Sequence, residues 1–138
     1  MKETLIFREL KVENEKLKAN SSKNTIAVKS FDFALAIVKT AKTISSIHNE
    51  FVLSKQVLRS CTAIGAMVRE AEHAESKADF IHKMSVALKE ANETRYWLDL
   101  LVASGYLNKQ EHTSLGNAIE EIIKLCAAIV KSAKSNIK

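Results

Sequence analysis

Proline is absent from the 138-residue sequence, which also contains only three glycines and eight aromatic residues. β-Sandwiches and β-barrels need many turns, and turns are rich in glycine and proline, so this scarcity argues against both architectures. No run approaches the roughly 18 uncharged apolar residues of a membrane-spanning helix. The first ten residues also lack the uninterrupted apolar stretch of a signal peptide, and we expect no association with a membrane.

Cysteine is also scarce, with only Cys61 and Cys126 present. A secreted scaffold of this size would usually carry more, so we expect a reduced, cytoplasmic protein. Neither cysteine has a histidine at helical spacing, and both lie in apolar patterns, which predicts buried and unreactive thiols. The three isolated glycines form no Gly-rich phosphate loop. We therefore predict a protein that is not an enzyme and that needs no cofactor.

Helix-forming residues dominate the rest of the composition. Apolar residues make up 46% of the chain and charged residues 27%, which is typical of a globular protein and not of a disordered one. Alanine, leucine, lysine and glutamate are abundant, and all four are strong helix formers. A chain of this length normally forms one domain. The composition therefore predicts a single all-α domain.

Four long segments show apolar residues at helical spacing. The predicted helices cover about 31–47, about 52–74, Ser76 to near Gly105, and about 109–134. Because the intervening loops are short, successive helices must run antiparallel. The pattern therefore predicts an antiparallel up-and-down four-helix bundle.

Capping residues mark the predicted helix starts. Ser30 is expected to cap the first helix. Ser76 with Asp79, and Asn108 with Glu111, have the three-residue spacing of a capping box. A glycine near position 105 is suited to the end of the third helix.

The chain divides into an extension and a bundle in this prediction. Residues 1–29 form an N-terminal extension and linker, and residues 30–138 form the four-helix bundle. Within the extension, residues 3–18 are a short charged helix or a disordered segment. The sparse apolar side of that helix consists of Leu5, Leu10 and Leu17.

The first two predicted helices carry more apolar surface than one core needs. On the second helix, one seam contains Leu53, Val57, Ser60, Ile64, Met67, Ala71 and Ala74, and a neighbouring stripe contains Leu58, Cys61, Gly65 and Val68. Small neighbours surround Gly65, so we expect the backbone of another helix to approach closely there. Surplus apolar surface usually marks an interface, and self-association is the simplest explanation.

Several long motifs carry a resemblance to a known family. They lie at residues 29–34, 51–60, 64–66, 70–83, 87–98 and 104–106. Together they resemble the bacterial four-helix-bundle proteins encoded within intervening sequences of 23S ribosomal RNA genes, over about residues 29–134. Cys61 departs from the small residue expected in the motif Arg-Ser-Gly-Thr, which affects packing more than function.

The resemblance implies an up-and-down four-helix bundle, a homopentameric ring and no enzymatic activity. A related accessory protein of diversity-generating retroelements shares the pentamer and works with nucleic acid and a reverse transcriptase. Association with RNA or DNA is therefore an expectation that the resemblance supplies. An open alternative is a protein-interaction scaffold that docks a partner through its apolar faces or its N-terminal extension.

The net charge of +5 lies at the two ends of the chain. Residues 1–29 carry +3, residues 106–138 carry +2, and residues 30–105 are neutral. Such a distribution is a weak electrostatic signal in a monomer, but five copies would carry +25. The candidate nucleic-acid-binding residues are Lys55, Arg59, Arg69, Lys77, Lys83 and Lys89. Ion pairing with acids one turn away is the competing interpretation of the same residues.

Two Asp/Glu-x-x-His pairs form the sharpest chemical pattern. Glu70 with His73, and Asp79 with His82, resemble the ligand spacing of di-iron bundles. Both pairs flank one turn at the end of the predicted bundle, and further ligands are not evident. Solvated or capping roles explain these residues better, and we predict no metal site.

Tyr96 and Trp97 are adjacent aromatic residues on the third predicted helix. Aromatic rings can stack on bases. Because leucines lie nearby on the same helix, we expect at least one of the two to pack into the core or an interface.

Overall fold

The computed structural model describes residues 25–136, and four α-helices account for nearly all of them. Helix α1 spans Thr25–His48, α2 spans Val52–Glu72, α3 spans Lys77–Ala103 and α4 spans Lys109–Ser135. The all-α prediction is therefore confirmed. Each of these helices is too polar or too short to cross a membrane. Most of the expected N-terminal extension, including residues 3–18, lies outside the described residues.

The helices form an up-and-down bundle in which each packs against the helix before it, and α1 closes the bundle by packing against α4. Contacts across α2 and α3 show the antiparallel direction, since Arg59 pairs with Glu93 whereas Glu70 pairs with Lys83. Loops of three to five residues leave no room for a crossover. The predicted topology is confirmed.

The caps predicted for α3 and α4 are present. Ser76 accepts a hydrogen bond from the amide of Asp79, and Asn108 and Glu111 form a reciprocal capping box. Gly105 follows α3 with φ of 87°, in the left-handed region that favours glycine. These features were predictable because each depends only on residues within one turn.

The prediction that Ser30 caps the first helix is wrong. Helix α1 begins five residues earlier, at Thr25, and Ser30 is buried within it. Its hydroxyl donates to the carbonyl of Ala27, 3.1 Å away, so a serine inside a helix is satisfied without ending it. Residues 25–29 are consequently part of the bundle and not of the linker.

Glu50 caps α2, a role that sequence reasoning did not assign. Its carboxylate accepts hydrogen bonds from the amides of Val52, Leu53 and Ser54 at 2.8–2.9 Å. These bonds outweigh the effect of burial, which by itself raises the pKa, and they hold the pKa of Glu50 below its ordinary value. A carboxylate at this end also suits the positive end of the helix dipole.

The core runs along the bundle axis and is built mainly from aliphatic side chains. Its largest fully buried members include Ile37, Ile44, Ile64, Met84, Leu98, Leu101, Ile119 and Ile122. On α2 the buried residues come from both predicted stripes. Cys61 and Val68 of the second stripe are buried, whereas Leu53 and Met67 of the first are only half-buried. The polar pair Ser60 and Thr94 is also buried within the core.

Candidate interaction and nucleic-acid surfaces

Helix α1 presents a stripe of exposed apolar side chains, which we call the α1 stripe. It consists of Phe31, Leu35 and Val38, whose exposed fractions are 41%, 56% and 40%. Spacings of four and three residues place all three on one side of the helix. The opposite line of α1, including Phe33 and Ile37, is buried. The surplus apolar surface predicted for this helix is therefore present at the surface.

Small residues of α2 lie beside the α1 stripe. Thr62, Gly65 and Ala66 line a groove of about 210 Å³ between α1 and α2. Arg69 also lines this groove, with its guanidinium 5.9 Å from the centre of the Phe31 ring. An apolar stripe next to a shallow groove of small residues is the geometry of a surface that packs against another helix.

The close approach expected at Gly65 is not made by another helix of the bundle. A Cβ atom added at Gly65 would meet only the Ser30 hydroxyl oxygen, at 3.8 Å, which is an ordinary contact. The glycine therefore leaves open space on the surface of the described chain.

Arg59 lies in a polar network between α2 and α3. Its guanidinium pairs with Glu93 and lies 3.5 Å from a carboxylate oxygen of Glu90. The Trp97 indole N–H donates to the same Glu93 carboxylate at 3.0 Å. This indole, ahead of Arg59, holds the pKa of Glu93 below its ordinary value against the opposing effect of burial.

Sequence reasoning missed both acidic ion-pair partners of Arg59, Glu90 and Glu93. They lie more than 30 positions further along the chain, and only the packing of α3 against α2 brings them to Arg59. One signal in the sequence could have indicated this network. The spacing places three polar side chains on one side of α3, namely Glu90, Glu93 and Trp97.

The six candidate nucleic-acid-binding residues divide into two groups. Arg59 and Lys83 pair with acids, Lys83 with Glu70 at 3.4 Å. Within residues 25–136, the other four make no ion pair, and they are Lys55, Arg69, Lys77 and Lys89.

These candidates do not form one patch on the described chain. Lys55 lies in the first turn of α2 and Lys77 in the first turn of α3, at opposite ends of the bundle. The two are separated by about 25 Å along the axis. Arg59 and Lys89 come together, since both act on the charge of Glu93, and Lys55 lies one turn from Arg59 on α2.

The described residues are nearly neutral overall. They contain 14 lysine and arginine side chains and 12 aspartate and glutamate side chains. Cross-helix pairs such as Lys29 with Glu121 and Arg95 with Glu120 mix the two signs over the surface. A single chain therefore presents a mixed surface and not a concentrated positive field.

Tyr96 and Trp97 have different environments. Trp97 is partly buried against the core, whereas Tyr96 is 58% exposed. Their rings meet edge to face, with centres 5.1 Å apart. The prediction that at least one packs is confirmed, and Tyr96 remains accessible.

The two Asp/Glu-x-x-His pairs are not brought together as a ligand set. Glu70 contacts Lys83, and the Asp79 carboxylate accepts a hydrogen bond from the Glu75 amide at 3.2 Å. From Thr25 to Asn136, no group of three or more possible ligands is placed to hold a metal ion.

Both thiols lie in the core, as predicted. Burial raises the pKa of Cys61 to about 12 and that of Cys126 to about 11. Thiolates are therefore strongly disfavoured at neutral pH, and neither cysteine is suited to nucleophilic chemistry.

A further exposed apolar cluster lies at the end of the bundle, around the loop between α1 and α2. Ile47, Phe51 and Val52 are 62–71% exposed. The His48 ring contacts Tyr106 edge to face across the same end, with centres 5.5 Å apart. We call Ile47, Phe51 and Val52 the end cluster.

Comparisons with known proteins bear on this fold. The family described as "23S rRNA-intervening sequence protein" matches residues 22–128. A crystal structure from Bacteroides thetaiotaomicron, described as a protein of unknown function from the S23 ribosomal protein family, is 50% identical in sequence. The match covers 77% of this chain and 98% of that chain, with a TM-score of 0.76. No curated protein matches the chain.

Proposed function

The chain belongs to the 23S rRNA-intervening sequence protein family, and from this membership we propose that it is a non-enzymatic, self-associating module that binds the backbone of RNA or DNA. The proposed assembly is a homopentameric ring, and its proposed location is the cytoplasm. The observation that carries self-association is the α1 stripe beside the groove lined by Gly65.

Self-association follows from the cost of leaving the α1 stripe in water. Full burial of a Leu, Phe or Val side chain contributes about 1.5–3 kcal/mol. Phe31, Leu35 and Val38 are about half exposed, so each has roughly 1 kcal/mol left to gain from burial. In a symmetric assembly every interface repeats this gain.

Nucleic-acid binding is proposed for the assembly and not for the single chain. Lys55, Lys77 and Lys89 are exposed and make no ion pair within the described residues. A ring would repeat each of them around its axis, and the net charge of +5 per chain would be multiplied likewise. Repeated positive charge attracts phosphate backbone without reading sequence.

Light scattering of purified protein tests the assembly. We expect the wild-type chain to be oligomeric at micromolar concentration and Leu35→Glu to shift it towards the monomer. Thr43→Glu is the control, since it adds the same charge at an exposed position of the same helix, about 80° away around it and outside both the α1 stripe and the end cluster. A monomeric wild-type chain would refute self-association, and equal effects of both variants would show that charge alone is responsible.

Fluorescence anisotropy with a labelled RNA and a labelled DNA duplex tests binding. We expect affinity to fall steeply with salt, and Lys55→Gln/Lys77→Gln/Lys89→Gln to reduce the slope by about one unit per lost phosphate contact. The control is Lys39→Gln/Lys109→Gln/Lys124→Gln, which removes the same charge elsewhere. Absence of binding at low salt would rule out the nucleic-acid role, and equal losses would rule out the candidate residues.

The second candidate function is a protein-interaction scaffold, and the end cluster favours it. Ile47, Phe51 and Val52 expose apolar surface away from the α1 stripe. A partner helix could bury this surface. Affinity capture with and without nuclease separates the two functions, because a protein partner survives nuclease treatment and a nucleic-acid bridge does not.

A further inference from the structure

The end cluster lies at the end of the bundle that is remote from both limits of the described chain. Helix α1 begins and α4 ends at the opposite end, whereas the loops over 49–51 and 104–108 meet here through the contact of His48 with Tyr106. The three apolar side chains of the cluster are 62–71% exposed. Their exposure therefore does not result from a nearby limit of the described chain.

Positive charge is concentrated on the pair of helices that carries this cluster. Residues 33–69 contain five basic side chains and one acidic side chain, which gives a formal charge of +4. Residues 70–105 contain four basic and seven acidic side chains, which gives −3. The middle of the chain is therefore neutral only as a sum, and the fold places its positive part on α1 and α2.

Lys42 and Lys55 are the cations of α1 and α2 that lie nearest to the end cluster. Lys42 precedes Ile47 by five residues and Lys55 follows Val52 by three, so they are set back by about 8 Å and about 5 Å along the helix axes. Both are exposed, and neither makes an ion pair within residues 25–136. Long lysine side chains keep their charged ends in water while their stems cover apolar surface. Free positive charge therefore flanks the end cluster on both helices.

The carboxylates nearest this end are engaged within the chain. Glu50 accepts hydrogen bonds from three amides at the start of α2, at 2.8–2.9 Å. Asp99 lies 2.8 Å from a ring nitrogen of His112, and Glu111 accepts from the amide that begins its own capping box, at 3.2 Å. These acids have partners of their own, so Lys42 and Lys55 are left to meet a carboxylate from outside the described chain.

An apolar centre with a cation on either side favours an acidic amphipathic helix over nucleic acid and over a lipid bilayer. Such a helix buries its apolar face on the cluster and brings its flanking carboxylates to the lysines. A phosphate backbone offers the lysines a counter-charge but leaves Ile47 and Val52 in water. A bilayer would have to take up Asn49 and the Glu50 carboxylate, which lie between the apolar residues of the cluster.

We propose that the end cluster, together with Lys42 and Lys55, is the docking site for an amphipathic helix of another protein that carries carboxylates beside its apolar face. This inference rests on the scaffold function given above as the second candidate, and it adds the chemistry of the partner. The α1 stripe takes no part in this site, so the proposed assembly is not required.

Two synthetic peptides test this chemistry with the full-length chain. Both are labelled, helix-stabilised amphipathic sequences of about five turns with the same leucine face, which is flanked by glutamates in one and by lysines in the other. Fluorescence anisotropy should show that the acidic peptide binds at least about tenfold more tightly than the basic one. Added salt should reduce this difference, because it screens exposed charges.

A pair of apolar variants locates the site. Phe51→Ser/Val52→Ser should weaken binding of the acidic peptide at least about tenfold, because it removes the apolar centre. Leu35→Ser/Val38→Ser removes comparable apolar surface from the α1 stripe and should change the affinity by less than about twofold. All four side chains are exposed, so the core is left intact in both variants.

A pair of charge variants tests the role of the lysines. Lys42→Glu/Lys55→Glu should reverse the preference, so that the basic peptide binds more tightly than the acidic one. Lys77→Glu/Lys131→Glu makes the same change in charge at exposed positions near the opposite end and should leave the preference unchanged.

The contrary results are equally specific. Equal affinities of the two peptides, or no binding of either, would overturn the stated chemistry, and equal losses in the cluster and stripe variants would overturn the location. Sedimentation with phosphatidylcholine–phosphatidylserine vesicles that is lost in Phe51→Ser/Val52→Ser would assign the cluster to a lipid surface instead. Loss of RNA binding in that variant would assign it to nucleic acid.

Affinity capture separates this inference from the scaffold function on which it rests. A nuclease-resistant partner that Phe51→Ser/Val52→Ser retains as well as the wild type does would uphold the scaffold function and overturn the docking site. Binding of the acidic peptide without any captured partner would support the docking chemistry and count against the scaffold function.

Discussion

The buried hydroxyl pair of Ser60 and Thr94 joins α2 to α3, and a double-mutant cycle measures its contribution to stability. Both residues are 0% exposed, and their hydroxyl oxygens lie 2.8 Å apart. Each also has a backbone partner on its own helix. Thr94 Oγ1 lies 2.8 Å from the Glu90 carbonyl oxygen, and Ser60 Oγ lies 3.3 Å from that of Val57.

The losses of stability in the two single variants are expected to add up to more than the loss in the double variant, which independent sites would not show. Thr94→Val keeps the side-chain shape but removes one partner of Ser60, and we expect a loss of about 1–2 kcal/mol in the free energy of unfolding. Ser60→Ala leaves Thr94 its bond to the Glu90 carbonyl, so the expected loss is smaller, about 0.5–1 kcal/mol. The double variant leaves neither hydroxyl behind, and we expect a coupling energy of about 0.5–1 kcal/mol.

Urea unfolding followed by circular dichroism, at one fixed protein concentration, provides these free energies. Thr113→Val is the control, because its hydroxyl also bonds to a carbonyl four residues earlier but is exposed. We expect that variant to change stability by less than about 0.5 kcal/mol. If the effects of the two core variants add to within about 0.3 kcal/mol, the hydroxyl pair does not couple the helices and the reasoning is refuted.

Two further predictions concern local backbone features. In the Leu35→Glu background, where self-association is expected to be weakened, Gly65→Ala should raise the free energy of unfolding by about 0.5–1 kcal/mol, because alanine favours the helix and its Cβ fits 3.8 Å from Ser30. A loss of stability in that background, measured by urea unfolding, would contradict the open space at Gly65. Glu50→Gln should remove part of the pH dependence of stability. Since the folded pKa of Glu50 is lowered, its contribution is present above the unfolded pKa of about 4.3 and is lost as pH falls through the folded pKa. Urea midpoints should therefore differ between wild type and variant at pH 7 and converge near pH 2, and a difference that is independent of pH would contradict this role.

The helices and their caps were predictable because they depend on neighbours within one or two turns. Ser76 and Asn108 start helices as the capping pattern predicts, and Gly105 follows α3. Ser30 shows the limit of this reasoning. The same serine that can cap a helix can also bond to a carbonyl within one, and only the residues before it decide which occurs.

The candidate sites were less predictable because charge pairing is not local. The sequence suggested that Arg59 was free to bind a phosphate, yet two glutamates of α3 pair with it once the helices pack. Lys55 and Lys77 looked like parts of one set, yet antiparallel packing places them at opposite ends.

The sequence by itself determined that this protein is a four-helix bundle of a recognisable family, because a 3.6-residue apolar period, caps and short loops are properties of contiguous residues. The tertiary structure decided which apolar residues remain exposed after the four helices have packed. Phe33 and Phe31 are equally apolar, but one lies in the core and the other on the surface, since a bundle can bury only one side of each helix. The α1 stripe exists for that reason, as it is an apolar surface that the four packed helices leave exposed.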